Sequence, residues 1–124
     1  MGFNDDNFLD DYEIQELINR FENQLESGMP LFFDADELNI IIEHYVQKND
    51  ISKINIIADM ANTYHTTNPL TNLIMAKKYL SVQDASNALP YLLDENNNTE
   101  DADYQLSLAY CYSLLDEHKQ SLSA

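Results

Sequence analysis

Apolar side chains recur along this chain at helical spacing, and short polar joints interrupt them. From Asp11 the apolar positions are Ile14, Leu17, Ile18, Phe21 and Leu25, a single stripe at i, i+3, i+4, i+7 and i+11. The pattern predicts a helix over about 11–27, capped by Asp10 or Asp11 and stopped by the left-handed preference of Gly28. Leu38, Ile41, Ile42 and Tyr45 predict the buried side of a second helix, capped by Asp34 or Asp36. Asn49 tolerates a left-handed turn, and Asp50 can cap the next helix directly. Ile51, Ile54, Ile57, Ala58 and Ala61 continue the series to the polar stretch near "HTTNP". Asn68 then caps a helix with Pro69 at its first position, where the missing N–H costs nothing. That helix carries Leu70, Leu73, Ile74, Met75, Tyr79 and Leu80. A joint near Gln83–Asp84 leads into "ASNALPYLL", and the loop "DENNNTED" leads into "LAYCYSLLDEHKQSLSA". Pro90 predicts a kink or a late helix start. With only two glycines and three prolines in 124 residues, the turn residues of an all-β fold are missing. The expected class is all-α.

Laying the chain over itself exposes a period. Tyr45, Tyr79 and Tyr112 stand 34 and 33 residues apart. Each follows a pair at the same offsets, Ile41-Ile42, Met75-Ala76 or Leu108-Ala109, and Ile54, Ala88 or Ser121 comes nine residues later. This pattern resembles the tetratricopeptide repeat (TPR) family, whose unit is a hairpin of two antiparallel helices. Leu108-Ala109-x2-Tyr112…Ser121 and Met75-Ala76-x2-Tyr79…Ala88-x3-Leu92 follow the family signature well. Ile41-Ile42-x2-Tyr45…Ile54-x3-Ala58 departs from it at two sites that usually hold small residues, which small neighbours such as Ala58 and Ala61 could match. Leu38, Asn72 and Gln105 stand where the signature has tryptophan. The resemblance implies antiparallel hairpins stacked as a short right-handed superhelix, with repeats over 35–68, 69–101 and an incomplete 102–124. Residues 1–34 would then be an acidic segment with a capping helix. In the third unit the first helix would end near "SLLDE" and a second begin at Ser121-Leu122. A cut-short unit leaves Leu114, Leu115 and Leu122 without cover, so the expectation is a fragment of a longer repeat protein or self-association through this end.

Charge narrows the partners. The chain has 22 acids against 6 Lys plus Arg, a formal net of −16, and half of the acids fall in the first 37 residues beside Arg20 alone. Such a surface repels phosphate, which argues against nucleic acid and anionic membranes. The excess acid serves solubility, or it suits a basic partner or mimicry of a polyanion. No signal peptide opens the sequence and no run reaches the length of a membrane span, so the chain reads as cytoplasmic. Cys111, the single cysteine, sits in an apolar stretch as a small core residue.

The resemblance implies an inner groove lined by the first helix of each unit. Its stripe would be Asn39, Glu43 and Val46, then Leu73, Lys77 and Leu80, then Leu106, Tyr110 and Ser113. Lys77 and Tyr110 at the centre of an apolar patch suit a protein or peptide segment. Alternatively, Leu73, Leu80 and Leu106 simply pack against neighbouring helices. Catalysis, cofactors and metals find no support. His44, His65 and His118 lie in different segments, the "DENNNTED" loop lacks the glycine and glutamate of a calcium loop, and two glycines cannot build a phosphate loop. The expected function is a non-catalytic interaction scaffold, and the alternative is an acidic decoy that occupies a basic or nucleic-acid-binding protein.

Overall fold

The computed structural model describes residues 10–29 and 32–123. Within them lie six helices and no strand: α1 (Asp11–Ser27), α2 (Ala35–Gln47), α3 (Ile51–Tyr64), α4 (Pro69–Leu80), α5 (Ala85–Leu92) and α6 (Ala102–Ser123). The class is all-α, as the periodicity predicts.

Local chemistry explains most boundaries. Asp10 and Asp34 cap α1 and α2, and each forms a reciprocal box with the glutamate three residues on, Glu13 or Glu37. Gly28 ends α1 at φ +74°, a left-handed conformation that costs glycine little. Asn68 caps α4 ahead of Pro69.

The α2–α3 and α4–α5 joints share two backbone bonds and a cap. Asn49 and Gln83 are both left-handed, at φ 57° and 61°. Their N–H groups donate to Val46 and Leu80 carbonyls, and those of Asp50 and Asp84 donate to Tyr45 and Tyr79. Asp50 and Asp84 then cap the helices that follow.

The corresponding third joint does not form. A break was expected between Tyr112 and Ser121, yet α6 runs unbroken from Ala102 to Ser123. Two positions account for this. Asp116 stands where the left-handed Asn49 and Gln83 stand, and Glu117 replaces the capping Asp50 and Asp84. Glutamate is a good helix former and a poor N-cap, so nothing there favours a turn over continued helix.

Of the two outcomes expected at Pro90, the late start does not occur. Helix α5 begins at Ala85, in register with its Asp84 cap, so there is no late start. Pro90 deletes one bond in the last turn, and the helix stops at Leu92 after 8 residues where α3 has 14. Asn97 covers that end by donating to the carbonyls of Tyr91 and Leu92.

Packing follows the pairing. α2 touches α1, α3 and α4; α4 touches α2, α3, α5 and α6; and α6 touches α4 and α5. Among the described residues α3 and α5 do not meet, so α2, α4 and α6 form a continuous row that the other helices flank. One core joins Phe21, Phe33, Ile41, Tyr45, Ile57 and Ile74, with Phe21 ring centroids 5.9 Å from Phe33 and 5.8 Å from Tyr45. Ile42 and Ile54 are fully buried in it beside Ala58 and Ala61. A second core gathers Leu73, Ala76, Leu80, Ala88, Leu92, Tyr104 and Cys111.

The three signature tyrosines change environment along the row: Tyr45 is 2% exposed, Tyr79 half-buried and Tyr112 47% exposed. Without a hairpin partner folding back over α6, Tyr112 has no second helix to cover it. Leu114 and Leu115 are half-buried against the second core, while the side chain of Leu122 lies outside the described residues.

Candidate functional site

The predicted stripe places its residues on the inner row of α2, α4 and α6, and Lys77 decides how that face is divided. Lys77 is 6% exposed, on the turn of α4 that faces both neighbours. Its ammonium donates to Asn39 Oδ1 at 2.9 Å and Asp103 Oδ2 at 2.8 Å, and it pairs with Glu43 Oε1 at 3.0 Å. Asn39 Nδ2 closes the ring by donating to the same Asp103 oxygen at 3.2 Å. Of the three N–H donors of the ammonium, two are given to Asn39 and Asp103, and the ion pair with Glu43 adds a third oxygen at 3.0 Å. Lys77 is thus a bridge tying three helices together, with its charge engaged by Glu43 and Asp103.

The bridge separates two hollows. The larger, about 1400 Å³, lies against α1, α2, α4, α6 and the loop before α6. Leu17, Ile40, Leu70 and Leu73 give it an apolar strip. Its carboxylates are Glu13, Glu16, Asp34, Asp36, Glu37, Asp101 and Asp103. Among the described residues Arg20 is the one cation on its wall, and it is spent on Glu37 at 3.0 Å and on the face of Phe33. Several asparagine amides there are also committed: Asn39 to the bridge, Asn68 to the α4 cap and Asn97 to the end of α5. Most of the carboxylates also accept bonds within the chain, as Glu13, Asp34 and Glu37 do in the capping boxes and Asp103 does from Lys77. A carboxylate nevertheless has about four acceptor positions and keeps some of them for a cation.

The smaller hollow, about 370 Å³, lies beyond the bridge and is walled by Val46, Leu80, Leu106 and Tyr110 above Glu43, Lys77 and Asp103. Six of the nine stripe residues meet here: Glu43, Val46, Lys77, Leu80, Leu106 and Tyr110. Asn39 and Leu73 face the larger hollow, and Ser113 lines neither. Leu73 and Leu80 are buried in the second core and hold the row together, whereas Leu106 is 71% exposed.

The stripe missed Asp36, Leu70 and Asp103. All three stand nine residues before their unit's tyrosine, one turn further along the same faces, and all three line the larger hollow. Extending the stripe by that turn would have found them.

Several other titratable groups make contacts within the fold. The Tyr45 hydroxyl donates to Glu22 at 2.5 Å, and burial, reinforced by that carboxylate, pushes its pKa well above the usual phenol value. Burial, aided by Lys48, pulls His44 down, while Glu22 acts weakly the other way. His65 Nε2 lies 2.8 Å from the carbonyl of Phe33. Burial raises the Cys111 thiol, which donates to the Ala85 carbonyl at 3.4 Å and stays protonated. The "DENNNTED" segment is a loop of self-capping turns, with Asp94 accepting from Asn96 N and Asn98 from Glu100 N. Among the described residues no group of three or more His, Cys, Asp or Glu could hold a metal ion, and no helix is long and apolar enough to cross a membrane.

These features describe an all-helical chain whose inner face carries two open hollows. No protein-family model, curated protein or solved structure matches the chain.

Proposed function

We propose that this chain is a non-catalytic interaction module that holds a basic segment of a partner protein in the larger hollow. The observation that carries the reading is the composition of that hollow: seven carboxylates, one arginine already paired, and an apolar strip along the floor. Lysine or arginine side chains would satisfy the carboxylates, and apolar residues between them would cover Ile40 and Leu70. Association would be fast, because the charge of −16 steers a cationic partner. The expected similarity to tetratricopeptide repeats supports the same class of function through its helical hairpins.

The second reading, an acidic decoy for a basic or nucleic-acid-binding protein, draws on the same charge but needs no apolar strip. Salt separates them. A short peptide alternating leucine and lysine is titrated by fluorescence anisotropy at about 0.05 M and about 0.5 M salt. The hollow-binding reading predicts that measurable affinity survives high salt and falls when leucine is replaced by serine. Complete loss at high salt, with no dependence on the leucines, favours the decoy.

A further inference from the structure

The smaller hollow is chemically distinct from the larger one. Its floor holds one ammonium and two carboxylates, because Lys77 is shared between Glu43 and Asp103, and no other charged residue lines it. One negative charge is left uncompensated. Both carboxylates remain partly open, with side chains 46% and 38% exposed, so each keeps acceptor positions toward solvent. Val46, Leu80, Leu106 and the Tyr110 ring form its apolar side, and the uncharged Ser81, Gln83 and Ser107 complete the lining. Leu106 and Tyr110 are 71% and 46% exposed, and the Tyr110 hydroxyl has no hydrogen-bond partner among the described residues. At about 370 Å³ the space falls in the range of small-ligand pockets, enough for one side chain and its flanking backbone rather than a long segment.

We propose that the hollow bounded by Val46, Leu80, Leu106 and Tyr110 is a separate recognition pocket for one apolar side chain flanked by a lysine or arginine of a partner protein. The apolar side chain covers Leu106 and the Tyr110 ring, both of which water now reaches. The neighbouring cation neutralises the charge that Lys77 leaves over on Glu43 and Asp103, and the ring face of Tyr110 offers it a second favourable contact. An anionic or purely polar residue gains neither. The pocket rests on the reading of the chain as an interaction module, but not on occupancy of the larger hollow.

The test uses a small probe, acetyl-leucyl-lysine amide, titrated into isotopically labelled protein while backbone amide shifts are followed. Saturable shifts are expected at Val46, Leu80, Leu106 and Tyr110. Leu106→Ser and Tyr110→Ala should each weaken binding at least about 5-fold, a loss typical of a removed apolar contact. Leu106 is largely exposed, so the fold tolerates its change, and unaltered shifts elsewhere verify this. Glu16→Gln with Asp36→Asn in the larger hollow should leave the dissociation constant unchanged; an equal loss there would overturn the assignment to the smaller pocket. Equal binding of acetyl-seryl-lysine amide, or unchanged affinity in both pocket variants, would overturn it as well. Failure of the leucine–lysine peptide to bind the larger hollow, with this probe still bound, would sink the proposed function of that hollow alone.

Discussion

Replacing Lys77 by methionine tests whether the bridge holds α2, α4 and α6 together. Methionine keeps the length and apolar stem of lysine but removes the charge, two donated hydrogen bonds and the ion pair with Glu43. The ammonium lies in a side chain only 7% exposed, yet Glu43 and Asp103 are 46% and 38% exposed and regain water when it leaves. The full penalty for breaking a buried pair, about 3–5 kcal/mol, must therefore be discounted for screening. What remains is a partly screened pair at each carboxylate and a neutral bond to Asn39, together about 2 kcal/mol. Urea unfolding followed by circular dichroism should show the midpoint falling by about 1 M, for a slope near 2 kcal/mol/M, with the slope unchanged. A variant within about 0.5 kcal/mol of the parent would refute the account of the bridge.

Other consequences follow from the core side of α2. Tyr45→Phe removes a hydroxyl bonded to Glu22 and should cost about 1–1.5 kcal/mol, most of which disappears in a Glu22→Gln background. Because the folded-state pKa of Tyr45 lies above its ordinary 10.0, stability should be full below that value and fall as pH climbs beyond it. Alkaline unfolding scans of Tyr45→Phe should show a shallower fall. His44 shifts in the opposite sense: its folded-state pKa is below the ordinary 6.5, so its contribution is present above that value and lost as pH drops through it. Urea midpoints between about pH 5 and 8 should rise with pH in the parent and flatten in His44→Gln.

Local chemistry was the legible part of this sequence. A cap, a left-handed turn and an apolar stripe depend on residues within four positions of one another, so Asp34 with Glu37, Asn49 with Asp50, and Asn68 with Pro69 could be read directly. The structure also chose between alternatives: Asp10 and Asp34 cap because only they have glutamate at the third helical position. The continuity of α6 was equally local. Glu117 in place of a capping aspartate was visible, but the tyrosine repeat outweighed it.

The role of Lys77 was not local. Its partners lie 38 and 26 residues away at Asn39 and Asp103, and they meet only because the register of three helices brings one turn of each to the same level. The stripe put Lys77 on the face of α4 that lies between α2 and α6. It could not show that side chains of the neighbouring helices would engage the ammonium.

The most direct test of the central claim is to map where a basic segment lies on the folded chain. The leucine–lysine peptide, added to labelled protein, should shift the amides of Asn39, Ile40, Leu70 and Asp101 around the larger hollow, together with Glu16 and Asp36. The outer positions Asp59 on α3 and Asn87 on α5, which line neither hollow, should stay unmoved. Shifts spread evenly over acidic surfaces, with Asp59 moving as much as Asp36, would contradict a defined binding face and reduce the acid excess to solubility.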